Sequence, residues 1–274
     1  MAGPNRRRAR DLVRVVIRTF PTSDLALWAA GATFFGVLGL VPLALVALWS
    51  AARLVGPDQV IAGMDTAVSG LPAGHGTAAA LHVLTRTAVG MSWLHAVVAL
   101  FPASLYGEGL RRAFLQLSPE QDRFTGWRGR LGLLVLVAAA PVLVLALLGT
   151  SPVVAPLYSA GGNRLLLGIV IAFHVVWVLV STALVLIFRF VAAGRIGRRA
   201  LFAGGFGTGA VLSGFLQGFL LFLAIPVDWS TPFGGLPVFG AVAALAFWLY
   251  LLHIVVLVGF RVTLVLGGTR RFAS

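Results

Sequence analysis

Six times between Leu25 and Leu266 the chain runs through about twenty or more residues that are almost entirely apolar. A helix needs about 20 such residues to cross roughly 30 Å of hydrocarbon. The runs are Leu25–Ala52, about Ala88–Gly107, Leu131–Gly149, Leu165–Phe190, Ala200–Ile225 and Pro237–Leu266. None alternates as the strands of a membrane barrel do, so they predict helices. The second run is the weakest, because it holds Ser92, His95 and Pro102. The expected fold is therefore all-α: a polytopic bundle of six transmembrane helices over residues 23–268. A basic segment, 1–22, precedes it and a short tail, 269–274, follows it.

Composition agrees. Apolar residues make up 59% of the 274 and charged residues 11%, against about 25% charged in a soluble domain. There is no cysteine, hence no disulfide framework and no thiolate chemistry. All 21 basic residues are arginine, and the net charge is +13. In a soluble chain that charge would suggest nucleic acid. Here its placement matters more. Eighteen arginines fall in the N-terminal segment, after span two, between spans four and five, or at the end of span six. Arg53, Arg86 and Arg164 alone fall on the other side. The positive-inside rule then puts both termini in the cytoplasm, with anionic headgroups rather than nucleic acid as the partner of the arginines.

Local signals refine this layout. Ser23 and Asp24 are placed to cap the first span. Arg10, Arg14 and Arg18 recur every four residues, which predicts an interfacial helix over 11–20 stopped by Pro21. The run is too long, and starts too late, for a cleaved signal peptide. In the long loop 53–87, Val60, Ile61, Met64 and Val68, then Leu81, Leu84 and Ala88, fall at helical spacing. Gly70–Gly76 separates them, so two short amphipathic helices are expected on the outer face. The links 150–164 and 226–236 are rich in Pro and Gly and are expected to be loops.

Few polar residues interrupt the spans, and each admits two roles. Glu108, Arg111 and Arg112 stand at i, i+3 and i+4, which pairs one carboxylate with two guanidinium groups on one helix. They mark either a helix leaving the membrane among headgroups or an ionic element inside the bundle. His174, with Ser181 seven residues on, and His253, three residues after Tyr250, fit interhelical hydrogen bonds, proton handling or, less directly, a metal. Gly205, Gly209, Ser213 and Gln217 form a small-residue ridge ending in an amide, and Gly214 and Gly218 form a second row. Such ridges let backbones approach closely, or line a substrate groove.

Ser213–Gly214 in the fifth span and His253 in the sixth resemble the layout of a rhomboid-type intramembrane protease. The Gly-x-Ser-Gly pattern is missing, because Val211 stands at its first glycine, and Ala99 stands four after His95 where that family has Asn. No Lys-containing phosphate loop exists. The eight acidic residues are scattered rather than clustered as a metal-dependent nuclease requires. No catalytic residue, cofactor or metal is expected.

Three stretches resemble the YihY/BrkB family of bacterial inner-membrane proteins. They are DLALWAAGATFFGVLGLVPLAL (Asp24–Leu45), SLYGEGLRRAF (Ser104–Phe114) with WRGRLGLLVLV (Trp127–Val137), and PFGGLPVFGAVAALAFWLYLLHIVVLVG (Pro232–Gly259). Trp248, Leu249, Tyr250 and Gly259 carry the most specific part. Arg261 departs from the pattern, which commonly has an acid two positions after that glycine, and is expected to snorkel toward the cytoplasm. The resemblance implies an inner-membrane protein linked to envelope integrity, with lipid or other amphiphile export as its expected role. A scaffold or partner subunit is the alternative. The family's old name, ribonuclease BN, carries no catalytic residues over.

Overall fold

A computed structural model describes residues 24–70, 77–118, 125–192, 196–223 and 231–268. Among these the chain is helical throughout, with no strand. The helices are α1 (Leu25–Val55), α2 (Pro57–Ser69), α3 (Thr77–Gly90), α4 (Trp93–Leu117), α5 (Thr125–Ser159), α6 (Gly162–Leu186), α7 (Arg198–Leu223) and α8 (Pro237–Gly268). A π-turn, Ile187–Val191, prolongs α6, and a 3-10 turn, Thr231–Phe233, precedes α8. The interfacial helix expected over 11–20, the N-terminal segment and the tail lie outside the described residues.

The long helices form a closed ring. α1 packs on α4, α4 on α5, α5 on α6, α6 on α7, α7 on α8, and α8 returns to α1. Adjacent helices run antiparallel, and close contacts at glycines fix their register. Gly39 meets Tyr106, Gly107 meets Gly129, Gly205 meets Val185, and Gly259 meets Thr208. Among the described residues, five helices are long and apolar enough to cross a membrane: those containing Leu25–Val55, Trp127–Ser159, Gly162–Val191, Arg198–Gly218 and Val238–Gly267. The 25-residue α4, which carries His95, Pro102, Glu108 and two arginines, is not among them.

Packing is uneven along the ring. At the end where α1 begins and α4 ends, Phe114, Phe188 and Phe260 stack with ring centroids 4.4–5.8 Å apart and are buried to 1% or less. Leu110, Leu133, Leu257 and Val191 fill in around them. Toward the other end, α8 between Val238 and Phe247 is largely exposed, and Gly214 and Gly218 have no neighbour within 4 Å of an added Cβ. There a second, smaller core joins Leu48, Ala51 and Ala52 of α1 to Val60, Ala88 and Leu148.

The two amphipathic helices form as expected. Val60, Val68 and Ala88 are buried; the first helix ends at Ser69 and the second is described from Thr77. They pack on α1 and α5.

Two boundaries differ from the expectation. Ala88 belongs to α3, not to the second span. The chain breaks after Gly90, and Ser92 caps a new helix by accepting from the His95 amide at 3.4 Å. The third span does not end at Gly149. α5 continues to Ser159 through Pro141, Pro152 and Pro156, so most of the expected loop 150–164 is helix. Pro152 has no N–H to give the Leu148 carbonyl. The Ser151 hydroxyl donates to that carbonyl instead, at 2.6 Å. A residue type that usually ends a helix is thus accommodated by its neighbour.

Candidate functional site

Small residues on α1 create the room for the first polar cluster. Ala29, Ala32, Thr33, Gly36 and Gly39 are buried on one face. An added Cβ on Gly36 would lie 3.1 Å from the His253 ring and 3.5 Å from Tyr106. His253, 2% exposed, joins three helices there. Its Nδ1 lies 2.7 Å from the Leu249 carbonyl oxygen, one turn back on α8. A carbonyl only accepts, so Nδ1 carries the proton. Nδ1 also lies 3.1 Å from the Thr33 hydroxyl oxygen, whose own proton goes to Ala29 O at 2.8 Å. With Nδ1 protonated in the neutral ring, Nε2 accepts, and the Tyr106 hydroxyl donates to it at 3.0 Å. Every polar atom of the cluster has a partner, and α1, α4 and α8 are tied at one level.

The second cluster begins only two residues further along α4, at Glu108, where α4 crosses α5. Gly107 and Gly129 meet backbone to backbone, so Cβ atoms there would lie 2.4 and 2.5 Å from the opposite carbonyl oxygens. That approach brings Arg130 of α5 to Glu108. The carboxylate, 12% exposed, accepts from Arg112 Nη2 at 2.7 Å and Nε at 3.1 Å through one oxygen. Its other oxygen accepts from Arg130 Nη2 at 2.7 Å and Nε at 2.9 Å. Arg130 also lies over the Phe101 ring, 5.4 Å from its centroid. Two adjacent cations stabilise the ionised carboxylate.

Arg111 takes another direction. It is buried, and its Nη1 donates to the carbonyls of Val191 and Ala192, at 2.8 and 3.3 Å, where the π-turn ends α6. A cation at a helix C-terminus meets the negative end of the dipole. The pairing of Glu108 with Arg111 suggested by their spacing is therefore replaced by Glu108–Arg130. Glu108 faces the α4–α5 crossing, while Arg112, 54% exposed, reaches outward. Arg261 does not simply extend to a surface, because its Nη1 donates to Leu117 O and so caps α4.

The remaining candidates do not gather around these clusters. His174 is exposed on α6 and bonds its own Val170 carbonyl at 2.7 Å. It does not share the environment of Ser181, which is fully buried against Gly209. Gln217 is half-buried on α7, and Tyr250 is half-buried against the main core. The Gly205–Gly209–Ser213 ridge packs on α6, against Val185 and Ser181, while Gly214 and Gly218 make no close approach. The Ser213 hydroxyl is buried without a hydrogen-bond partner among the described residues, and His253 is committed to Thr33, Tyr106 and Leu249. The serine–histidine pair a rhomboid-type protease needs is not assembled.

Sequence reasoning missed Thr33, Tyr106 and Arg130. Thr33, Gly36 and Gly39 on one face of α1 were a usable signal for close approach by another helix. Nothing local pointed to Arg130, 22 residues from Glu108.

No curated protein and no solved structure matches the chain. The family model described as Virulence factor BrkB matches residues 16–273, spanning both polar clusters and all eight helices. The chain is thus a multi-pass membrane protein belonging to the BrkB family.

Proposed function

We propose that this chain is a six-span protein of the bacterial cytoplasmic membrane, with both termini cytoplasmic, that moves or organises a lipid or other amphiphile in the envelope. α4 supplies the sixth span. Its 25 residues reach about 37 Å, and its neighbours leave Glu108 and Arg111 buried. The arginine distribution supports the orientation.

The observation that carries the functional reading is the uneven ring. Three phenylalanines fill it at the arginine-bearing end, while the described residues of α6, α7 and α8 bury little toward the other, where Gln217 is half-buried. A bundle tight at one end and loose at the other suits an amphiphile that enters from one leaflet. Vesicles reconstituted with the protein and carrying a fluorescent phospholipid test this. Transfer between leaflets faster than in protein-free vesicles, and faster again in Phe260→Ala, is expected. Transfer at the protein-free rate in both would remove the reading.

The scaffold reading rests on a separate observation. His253, Arg111 and Arg261 are each committed to contacts that tie helices together. In that case Phe260→Ala lowers stability without affecting any flux.

A further inference from the structure

The Glu108 cluster is electrically unfinished. Among the described residues, two guanidinium groups share one carboxylate, leaving one net positive charge. Both oxygens of Glu108 already accept two bonds each, so the carboxylate is saturated. Arg112 and Arg130 each use Nε and Nη2 on it, and their Nη1 groups have no acceptor among the described residues. Those donors are not sealed in, since Arg112 is 54% exposed and Arg130 29%.

The surroundings are those of a membrane interface. Trp127, three residues before Arg130 on α5 and therefore on the adjoining face, is 65% exposed. An exposed tryptophan beside arginines is typical of headgroup depth. Phe101, under the Arg130 guanidinium, is 62% exposed and lies about two turns deeper along α4. Leu134, one turn along α5 from Arg130, is 44% exposed. Charge at one level and bare apolar surface directly below match the two ends of one phospholipid.

We infer that the α4–α5 crossing holds an anionic phospholipid, its phosphate bridging Arg112 and Arg130 beside Glu108 and its acyl chains lying on Phe101 and Leu134. A phosphodiester supplies one negative charge and paired acceptor oxygens, which is what the two guanidinium groups lack. A zwitterionic lipid brings a cation of its own and is disfavoured. This goes beyond the proposed transport, because a lipid seated here need not cross the bundle.

The test is native mass spectrometry of the full chain in detergent, titrated separately with phosphatidylglycerol, phosphatidylcholine and inorganic phosphate. Phosphatidylglycerol is expected to bind best. Arg112→Gln and Arg130→Gln should each weaken it about fivefold, as one interfacial cation is worth about 1 kcal/mol. Arg86→Gln on α3 should not. Glu108→Gln keeps both arginines and raises the cluster charge, so it should tighten binding about fivefold. That gain separates a lipid site from an ion pair that serves only folding, and covers the case in which Arg130→Gln fails to fold. Unchanged phosphatidylglycerol binding in Arg112→Gln, or no gain in Glu108→Gln, overturns the inference. Inorganic phosphate binding as tightly as the lipid overturns the assignment to lipid. Flux in vesicles is a separate readout, so either proposal can fail alone.

Discussion

Replacing Gly107 with alanine would put a methyl carbon 2.4 Å from the Gly129 carbonyl oxygen and 2.7 Å from Leu133 Cβ. Ordinary contact begins near 3.4 Å, and the obstacle is backbone, so no rotamer change relieves it. α4 and α5 must separate by about 1 Å at this level. Glu108 and Arg130 sit beside the contact at 2.7 Å. Opened by the same amount they would pass beyond the roughly 3.2 Å limit of a good N–H···O bond. Overpacking costs about 1–3 kcal/mol. Loss of a charge-assisted bond adds about 1.5–3 kcal/mol, reduced here because the part-exposed Arg130 can follow its partner. A total of about 2–4 kcal/mol is expected, read as the unfolding free energy in mixed micelles. The mechanism is checked by a double-mutant cycle with Arg130→Gln. If separation breaks the ion pair, the Gly107→Ala cost shrinks by about 1 kcal/mol on the Arg130→Gln background. Gly214→Ala is the control, since nothing lies within 4 Å of its added Cβ, and it should be neutral or slightly stabilising. Wild-type stability in Gly107→Ala, or strict additivity in the cycle, would refute the reasoning.

Other outcomes follow from the same geometry. Tyr106→Phe removes the donor to His253 Nε2 and should cost about 0.6–2 kcal/mol, at the scale of hydrogen bonds between membrane helices. Infrared or NMR detection of the histidine tautomer should still find the proton on Nδ1, held there by Leu249. Gly259→Ala meets Thr208, with side-chain atoms within 2.7 Å, and should lower the melting temperature, with partial recovery in Gly259→Ala/Thr208→Gly. The chain has no cysteine, so single cysteines report topology directly. In intact cells an impermeant maleimide should label Gly161→Cys and spare Ser274→Cys.

Much of the fold was legible because the bilayer imposes one requirement, an apolar run of sufficient length, that composition alone satisfies. The α5 boundary was not legible. Pro152 and Pro156 signal a loop in water, and only the Ser151 bond to Leu148 O shows how the helix continues. Within the site, Glu108 and Arg112 could be paired from their spacing, which is a property of one helix. Arg130 could not, because its approach depends on where Gly107 meets Gly129, and glycines give no sign of their opposite number. His253 was visible as a polar residue in an apolar run, but its partners lie 220 and 147 residues away.

The meeting of Gly107 and Gly129 also has a mechanical side. Two backbones touching at one point, with no side chain between them, form a fulcrum. No side chain at that contact opposes a change in the α4–α5 crossing angle. Trp93 begins the helix about 14 residues away, a lever arm of roughly 21 Å. A tilt of about 5° therefore carries the Trp93 end some 2 Å sideways, while Glu108, next to the pivot, stays almost where it was. Tyr106 adjoins the pivot as well, so its bond to His253 can survive a swing that the far end of α4 registers fully.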